Sequence, residues 1–98
     1  MNKMKELQKL LARIPKGKVT TYKILAEKLG LNPRHVGRLL SQNPYPVKYP
    51  CYKVVRSNGE LGGYSSDNGV IEKIERLRKD GLEVSNKRIE LNKFLFNF

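Results

Sequence analysis

Thr21-Tyr22-Lys23-Ile24-Leu25-Ala26-Glu27-Lys28-Leu29-Gly30-Leu31-Asn32-Pro33-Arg34-His35-Val36-Gly37-Arg38-Leu39-Leu40-Ser41-Gln42 is the stretch that decides the fold. Thr21 offers the hydroxyl of a good N-cap, and a helix is predicted from Tyr22 to Leu29 with Ile24, Leu25 and Leu29 turned inward. Gly30 is placed to end that helix with a positive φ. Asn32 is a second N-cap, and Pro33 suits the first helical position, where no amide donor is needed. The next helix then runs through Val36, Leu39 and Leu40 to about Gln42. Two short helices around a glycine turn make a helix-turn-helix. In such a unit the second helix enters a DNA groove, and here it carries Arg34, His35, Gly37 and Arg38.

Upstream, Met4, Leu7, Leu10 and Leu11 share one face of a helix predicted over residues 4–13. It should stop at Ile14, because Pro15 forces its predecessor out of the helical region. Pro15-Lys16-Gly17-Lys18 reads as a turn and Val19-Thr20 as a short extended piece. Downstream, residues 43–50 hold three of the five prolines and read as a stiff loop leading into Cys51. Lys53-Val54-Val55 is predicted as a strand, Ser57-Asn58-Gly59 as a hairpin turn and Glu60-Leu61 as the partner strand, together a wing. A last helix is expected from about Gly69 to Lys79, with Val70, Ile74 and Leu77 inward and Asp80-Gly81 ending it. The expected fold is mainly α with a small β wing, a winged helix-turn-helix over residues 1–81. Residues 82–98 hold all three phenylalanines, Phe94, Phe96 and Phe98. This tail either packs back over the core or leads to a partner.

The chain has 98 residues, enough for one compact domain. Its 20 Lys and Arg against 9 Asp and Glu give a net charge of +11. That excess favours a polyanionic partner. Nucleic acid is the first candidate, since phosphate contacts release counterions and supply affinity. Ribosomal RNA and an anionic membrane surface are the competing partners. No stretch approaches the roughly 20 apolar residues of a spanning helix. The N-terminus lacks a continuous apolar run of signal-peptide length, and the single cysteine fits a reducing compartment. A soluble intracellular protein without a membrane partner is expected.

Cys51 is the one residue with obvious nucleophilic chemistry. A lone cysteine is most often a buried small hydrophobe. This one follows a proline in a rigid loop, where reactive groups concentrate. The thiolate is the nucleophile, and nearby Lys53 or a helix N-terminus would lower its pKa from roughly 8.5. His35 is the only histidine and sits on the DNA-facing helix, so it pairs with Cys51 only if those segments meet. Tyr22, at a helix N-terminus, is either core or a contact to phosphate or base. One Cys, one His and dispersed carboxylates make a metal site improbable, and no glycine pattern has nucleotide-binding spacing. No metal and no cofactor are expected.

Several ordered motifs carry a resemblance. Ile14-Pro15-Lys16-Gly17-Lys18-Val19-Thr20-Thr21-Tyr22, Arg34-His35-Val36-Gly37, Asn43-Pro44, Pro50-Cys51, Val54-Val55-Arg56-Ser57-Asn58-Gly59 and Gly62-Gly63-Tyr64-Ser65 follow the order and near-spacing of the O6-alkylguanine-DNA alkyltransferases. The chain resembles that family's DNA-binding, cysteine-bearing domain over residues 4–81, without the usual separate N-terminal domain. The resemblance implies minor-groove binding to duplex DNA, flipping of an O6-alkylguanine, and irreversible transfer of the alkyl group to Cys51. It implies that Arg34 fills the gap in the stack and that Tyr22 rotates the adjoining phosphate and donates to the flipped base. The carbonyls of Cys51 and Val54 would accept from the guanine amino group, and Ser65, beside Tyr64, would help neutralise O6. Asn43 would brace the turn between recognition helix and active site. Such a protein is a single-turnover methyltransferase of DNA repair, working as a monomer or with a fused or associated repair domain.

This chain departs from the family at three places. The family's Pro-Cys-His-Arg is Pro50-Cys51-Tyr52-Lys53 here, so the histidine that helps deprotonate the thiol is Tyr52. Tyrosine, with a reference pKa of about 10, is a poor base at neutral pH. The glutamate that orients that histidine aligns with Asp80, one methylene shorter, and a Tyr52–Asp80 hydrogen bond is one way to keep a relay. In the recognition helix, where the family favours small residues, the chain has His35 while keeping Gly37. The competing readings are an alkyltransferase-like lesion sensor without chemistry, a class that usually lacks the cysteine, and a plain winged-helix regulator.

Overall fold

The computed structural model describes residues 2–45, 48–61 and 69–98. Helix α1 spans Lys3–Arg13 and is capped by Asn2, whose Oδ1 accepts from the Met4 N–H at 2.9 Å. Leu7 and Leu11 are buried, one turn apart on the same face. Ile14, extended before Pro15, ends the helix. Strand β1, Thr20–Thr21, runs directly into α2, Tyr22–Leu29, because the Thr21 Oγ1 accepts from the Ile24 N–H at 3.1 Å. Gly30 adopts φ 69° and closes α2. Helix α3, Pro33–Ser41, starts at Asn32, whose Oδ1 accepts from the His35 N–H at 2.8 Å. Val36 and Leu40 turn inward. In α2 the buried residues are Leu25, Ala26 and Leu29, while the expected Ile24 is only half-buried. The helix-turn-helix is therefore built from local caps at the predicted places.

The wing differs from expectation. Lys53 belongs to a one-turn 3-10 helix, Cys51–Lys53, and strand β2 is only Val54–Val55. Its partner is β1, in parallel, with Thr20 opposite Val54 and Thr21 opposite Val55. A parallel pair needs a long crossover, and α2, α3 and the proline loop supply it. Val54 and Val55 are both fully buried, so β2 is an interior strand that a solvent-facing hairpin would leave uncovered. The turn after β2 does form, through Gly59 N–H to Arg56 O and Arg56 N–H to Glu60 O. Beyond it, Glu60 and Leu61 bond with the tail: Leu61 N–H donates to Lys87 O at 3.1 Å and Glu60 bridges Arg88.

Helix α4, Gly69–Lys79, buries Leu77 and also Lys73, while Ile74 is half-buried. The tail lies against the domain. Val19 N–H donates to Phe94 O and Val19 O accepts from Phe96 N–H, at 2.9 and 2.8 Å. The tail includes a short helix α5, Leu91–Phe94. The Phe96 and Phe98 rings meet edge-to-face at 4.9 Å, with the Arg13 guanidinium 5.3 Å from the Phe98 centroid. Two apolar clusters result. Successive strand residues point to opposite faces, and so Val54 joins the cluster of α1, α2 and α3 while Val55 joins that of α4 and the tail. The turn just before divides the same way: Cys51 packs on the first cluster and Tyr52 on the second.

Candidate active site

The 3-10 turn at Cys51–Lys53 is where the site is built. Lys53 N–H donates to the carbonyl of buried Pro50, and Val54 N–H closes the turn on Cys51 O. Asn43 holds the loop ahead of it: Nδ2 donates to Tyr49 O at 2.9 Å, and Oδ1 accepts from Tyr45 N–H at 3.1 Å. Cys51 is half-buried and is in no disulfide.

Three side chains with shifted pKa values lie at this turn. Tyr22, the first residue of α2, has its phenol pKa raised, by burial first, with Arg56 opposing and the Cys51 charge adding. It is a neutral hydroxyl at pH 7 and a hydrogen-bond donor. Tyr52 is raised as well, by burial and then by Asp80, with Arg76 opposing. It too stays protonated, so it cannot take the thiol proton at neutral pH. Lys73 has its pKa lowered to about 8 by burial, while Cys51 acts the other way and Arg56 reinforces the fall. Its ammonium donates to Val54 O at 2.7 Å and Leu61 O at 2.5 Å, and lies 5.9 Å from the Tyr22 ring centroid.

Lys53 does not serve the thiol in the way proposed for it. It is buried and donates to Pro15 O at 2.9 Å, and it pairs with Asp80 Oδ2 at 2.8 Å. The same Asp80 oxygen accepts from Gly17 N–H at 2.7 Å. Asp80 thus ties the Cys51 turn to the loop ahead of β1, and it reaches Tyr52 through its charge.

On α3, Arg34, His35 and Arg38 are exposed on the face opposite Val36 and Leu40. A Cβ added at Gly37 would meet nothing within 4 Å among the described residues, so packing inside the chain does not require glycine there. Cys51 O and Val54 O, which the resemblance expects to meet the guanine amino group, each already accept one internal hydrogen bond. A carbonyl oxygen has a second lone pair for another donor. Tyr64 and Ser65 lie outside the described residues. Sequence reading missed Lys73 and Arg56. Lys73 stands four residues before Leu77, on the inward face of α4, and that spacing was the available signal.

Comparison with known proteins bears on this arrangement. The family model of the 6-O-methylguanine DNA methyltransferase DNA-binding domain matches residues 2–82. A bifunctional methyltransferase/endonuclease of Picrophilus torridus is 50% identical over 93 residues, 93% of this chain and 30% of that protein. A methylated-DNA–protein-cysteine methyltransferase of Pyrobaculum aerophilum is 53% identical over 64 residues, 65% of this chain and 43% of the relative. The chain spans less than half the length of either. Among solved structures, the O6-methylguanine-DNA methyltransferase of Pyrococcus kodakaraensis superposes with a TM-score of 0.74 at 36% identity, over 84% of this chain and 47% of that one. The S. pombe protein Atl1, solved with damaged DNA containing O6-carboxymethylguanine, shares the fold with a TM-score of 0.86 at 21% identity, over 98% of this chain and 95% of its own. With the match running from α1 through α4 and the turn that carries Cys51, the chain belongs to the 6-O-methylguanine DNA methyltransferase family, in its DNA-binding domain.

Proposed function

We propose that this chain repairs DNA by binding the minor groove through α3, flipping O6-alkylguanine and transferring the alkyl group once and irreversibly to Cys51. The observation that carries the reading is the Cys51 turn, half-buried beside a protonated Tyr22 and a buried Lys73, behind a helix-turn-helix with an exposed basic face. Chemistry on a paired base requires extrusion, at a cost of a few kcal/mol in unstacking, which an inserted Arg34 would offset. The thiolate then attacks the alkyl carbon, and Tyr22 donates to the base as the guanine leaves. Recognition by groove shape suits a lesion that occurs in any sequence. Residues 1–81 form the working unit, with 82–98 packed on it, acting inside the cell as a monomer or joined to a further repair domain.

The test is an intact mass after incubation with an O6-methylguanine oligonucleotide. A gain of about 14 Da, mapped to Cys51 and absent in Cys51→Ser, is the expected result, because the thiolate is the nucleophile. Binding without any mass change at any time would favour the second reading, a lesion sensor without chemistry. One observation supports that alternative: Tyr52, in the position of the family's histidine, is a neutral phenol with a raised pKa. The retained Cys51 argues against it.

Arg34→Ala should weaken binding to lesion DNA several-fold more than binding to undamaged DNA, measured by competition at one salt concentration, since salt alone moves both affinities. Equal loss on the two DNAs would reduce Arg34 to an ordinary phosphate contact.

A further inference from the structure

Lys73 is the group the proposed chemistry has not used. It is a lysine at 1% exposure whose hydrogen-bond acceptors among the described residues are two backbone carbonyls. Burying an ammonium is costly, no carboxylate among the described residues pairs with this one, and such groups concentrate at functional sites. The position of this one is specific. Val54 N–H closes the Cys51 turn on Cys51 O, and Val54 O in turn accepts from the Lys73 ammonium. Turn, strand and ammonium are one hydrogen-bonded unit, completed by Leu61 O on the far side. An ammonium has three hydrogens, and these carbonyls take two.

The charges around it point the same way. From α2 comes Tyr22, a neutral phenol. From the 3-10 turn comes Tyr52, also neutral, with Asp80 and Arg76 acting on it. The Asp80 carboxylate is held against the Lys53 ammonium. After β2 stands Arg56, whose positive charge opposes that of Lys73. Among the described residues acting on Lys73, Cys51 is the one that favours its charged form.

We propose that the Lys73 ammonium, and not the residue that follows the cysteine, holds Cys51 as a thiolate, through its positive charge on the Val54 carbonyl at the end of the Cys51 turn. This rests on Cys51 being the alkyl acceptor. The Sγ–H bond breaks and the proton leaves to water, with the electron pair left on sulfur. Sulfur then bonds the alkyl carbon, the C–O6 bond breaks, and its pair goes to the guanine. O6-Alkylguanine lacks the N1 proton that guanine carries, so the departing base takes up one proton from water, which balances the one the thiol gave up. Lys73 thereby does the work that the family's histidine does elsewhere, and Tyr52 is relieved of it.

The experiment uses the full chain without DNA. The rate of Cys51 alkylation by iodoacetamide is followed against pH for the wild type, Lys73→Gln and Lys73→Arg. Gln keeps a donor for the carbonyls and removes the charge; Arg keeps the charge. The wild-type thiol should titrate below its ordinary value of roughly 8.5. Lys73→Gln should titrate at least about one unit higher, so that its rate at pH 7 falls about tenfold or more. Lys73→Arg should recover part of that loss. Equal thiol titration in wild type and Lys73→Gln overturns the proposal. Should the variants fail to fold, the Lys73 titration is read by NMR in the wild type and in Cys51→Ser. Loss of the thiolate should lower the Lys73 pKa, and an unchanged titration overturns the proposal. Methyl transfer is scored separately by mass. An acidic, Lys73-dependent thiol that never gains a methyl would sink the acceptor reading and not the pair; transfer with an unshifted Lys73→Gln thiol would do the reverse.

Discussion

Replacing Asp80 with alanine is expected to lower the unfolding free energy by about 3–5 kcal/mol, the cost of stripping one partner from a buried ion pair. The Lys53 side chain is 4% exposed and that of Asp80 14%, so water cannot replace the lost carboxylate at the Lys53 ammonium. Gly17 N–H loses its acceptor in the same step. A domain of this size has about 5–15 kcal/mol in total, so the variant keeps a small margin or none. Asp80→Asn should cost clearly less, because an amide oxygen still accepts from Gly17 and Lys53. Urea unfolding of the three proteins checks this: the midpoints should fall in the order wild type, Asn, Ala, with the slopes unchanged. An alanine variant within about 1 kcal/mol of wild type would mean that the pair behaves as a surface salt bridge. The consequence for the site is direct. Lys53 is the last residue of the Cys51 turn, and Asp80 fastens it to the loop before β1. In the residual folded fraction of Asp80→Ala, alkyl transfer should therefore slow.

The helix-turn-helix was legible because its signals are local. Thr21, Gly30, Asn32 and Pro33 act on backbone groups within a turn of themselves, and the structure uses Thr21 and Asn32 as caps. The partner of β2 was not legible, because parallel pairing joins residues separated by two helices and a loop. Nor was the bonding of Leu61 with the tail: the predicted turn forms, but the residue expected in the partner strand donates to Lys87 instead. Both arise from burial on both sides of a two-residue strand, a tertiary demand that Val54-Val55 alone does not reveal. Cys51 could be singled out from its proline loop. Lys73 was harder: its spacing to Leu77 puts it on the inward face of α4, but a helical lysine ordinarily reads as surface charge, and the Val54 and Leu61 carbonyls show where its ammonium ends. Lys53 misled for the same reason: adjacency in sequence to Cys51 suggested a role at the thiol, while its long side chain reaches back to Pro15 and Asp80.

Gly59→Ala is expected to cost about 2–5 kcal/mol, in two parts that a second variant separates. The first is backbone strain: Gly59 has φ 90°, where a side chain costs about 1–2 kcal/mol. Gly81 has φ 91° and open space for a Cβ among the described residues, so Gly81→Ala should show that part alone. The second is overlap. A Cβ at Gly59 would run into the Ile89 carbonyl oxygen, and relieving such overpacking costs typically 1–3 kcal/mol. The overlap at Gly59 cannot be relieved independently of the tail, because Ile89 N–H donates to Gly59 O at 2.9 Å and Ile89 is buried in the second cluster. Pushing Ile89 away also loosens Lys87, whose carbonyl accepts from Leu61 N–H. Leu61 O is an acceptor of Lys73. Gly59→Ala should thus raise the apparent pKa of the Cys51 thiol as well as lower stability, whereas Gly81→Ala should do only the latter. Thermal melts and the iodoacetamide pH profile, run on both variants, read the two effects apart. Equal destabilisation by the two alanines would show that the tail yields freely at Ile89 and transmits nothing to the site.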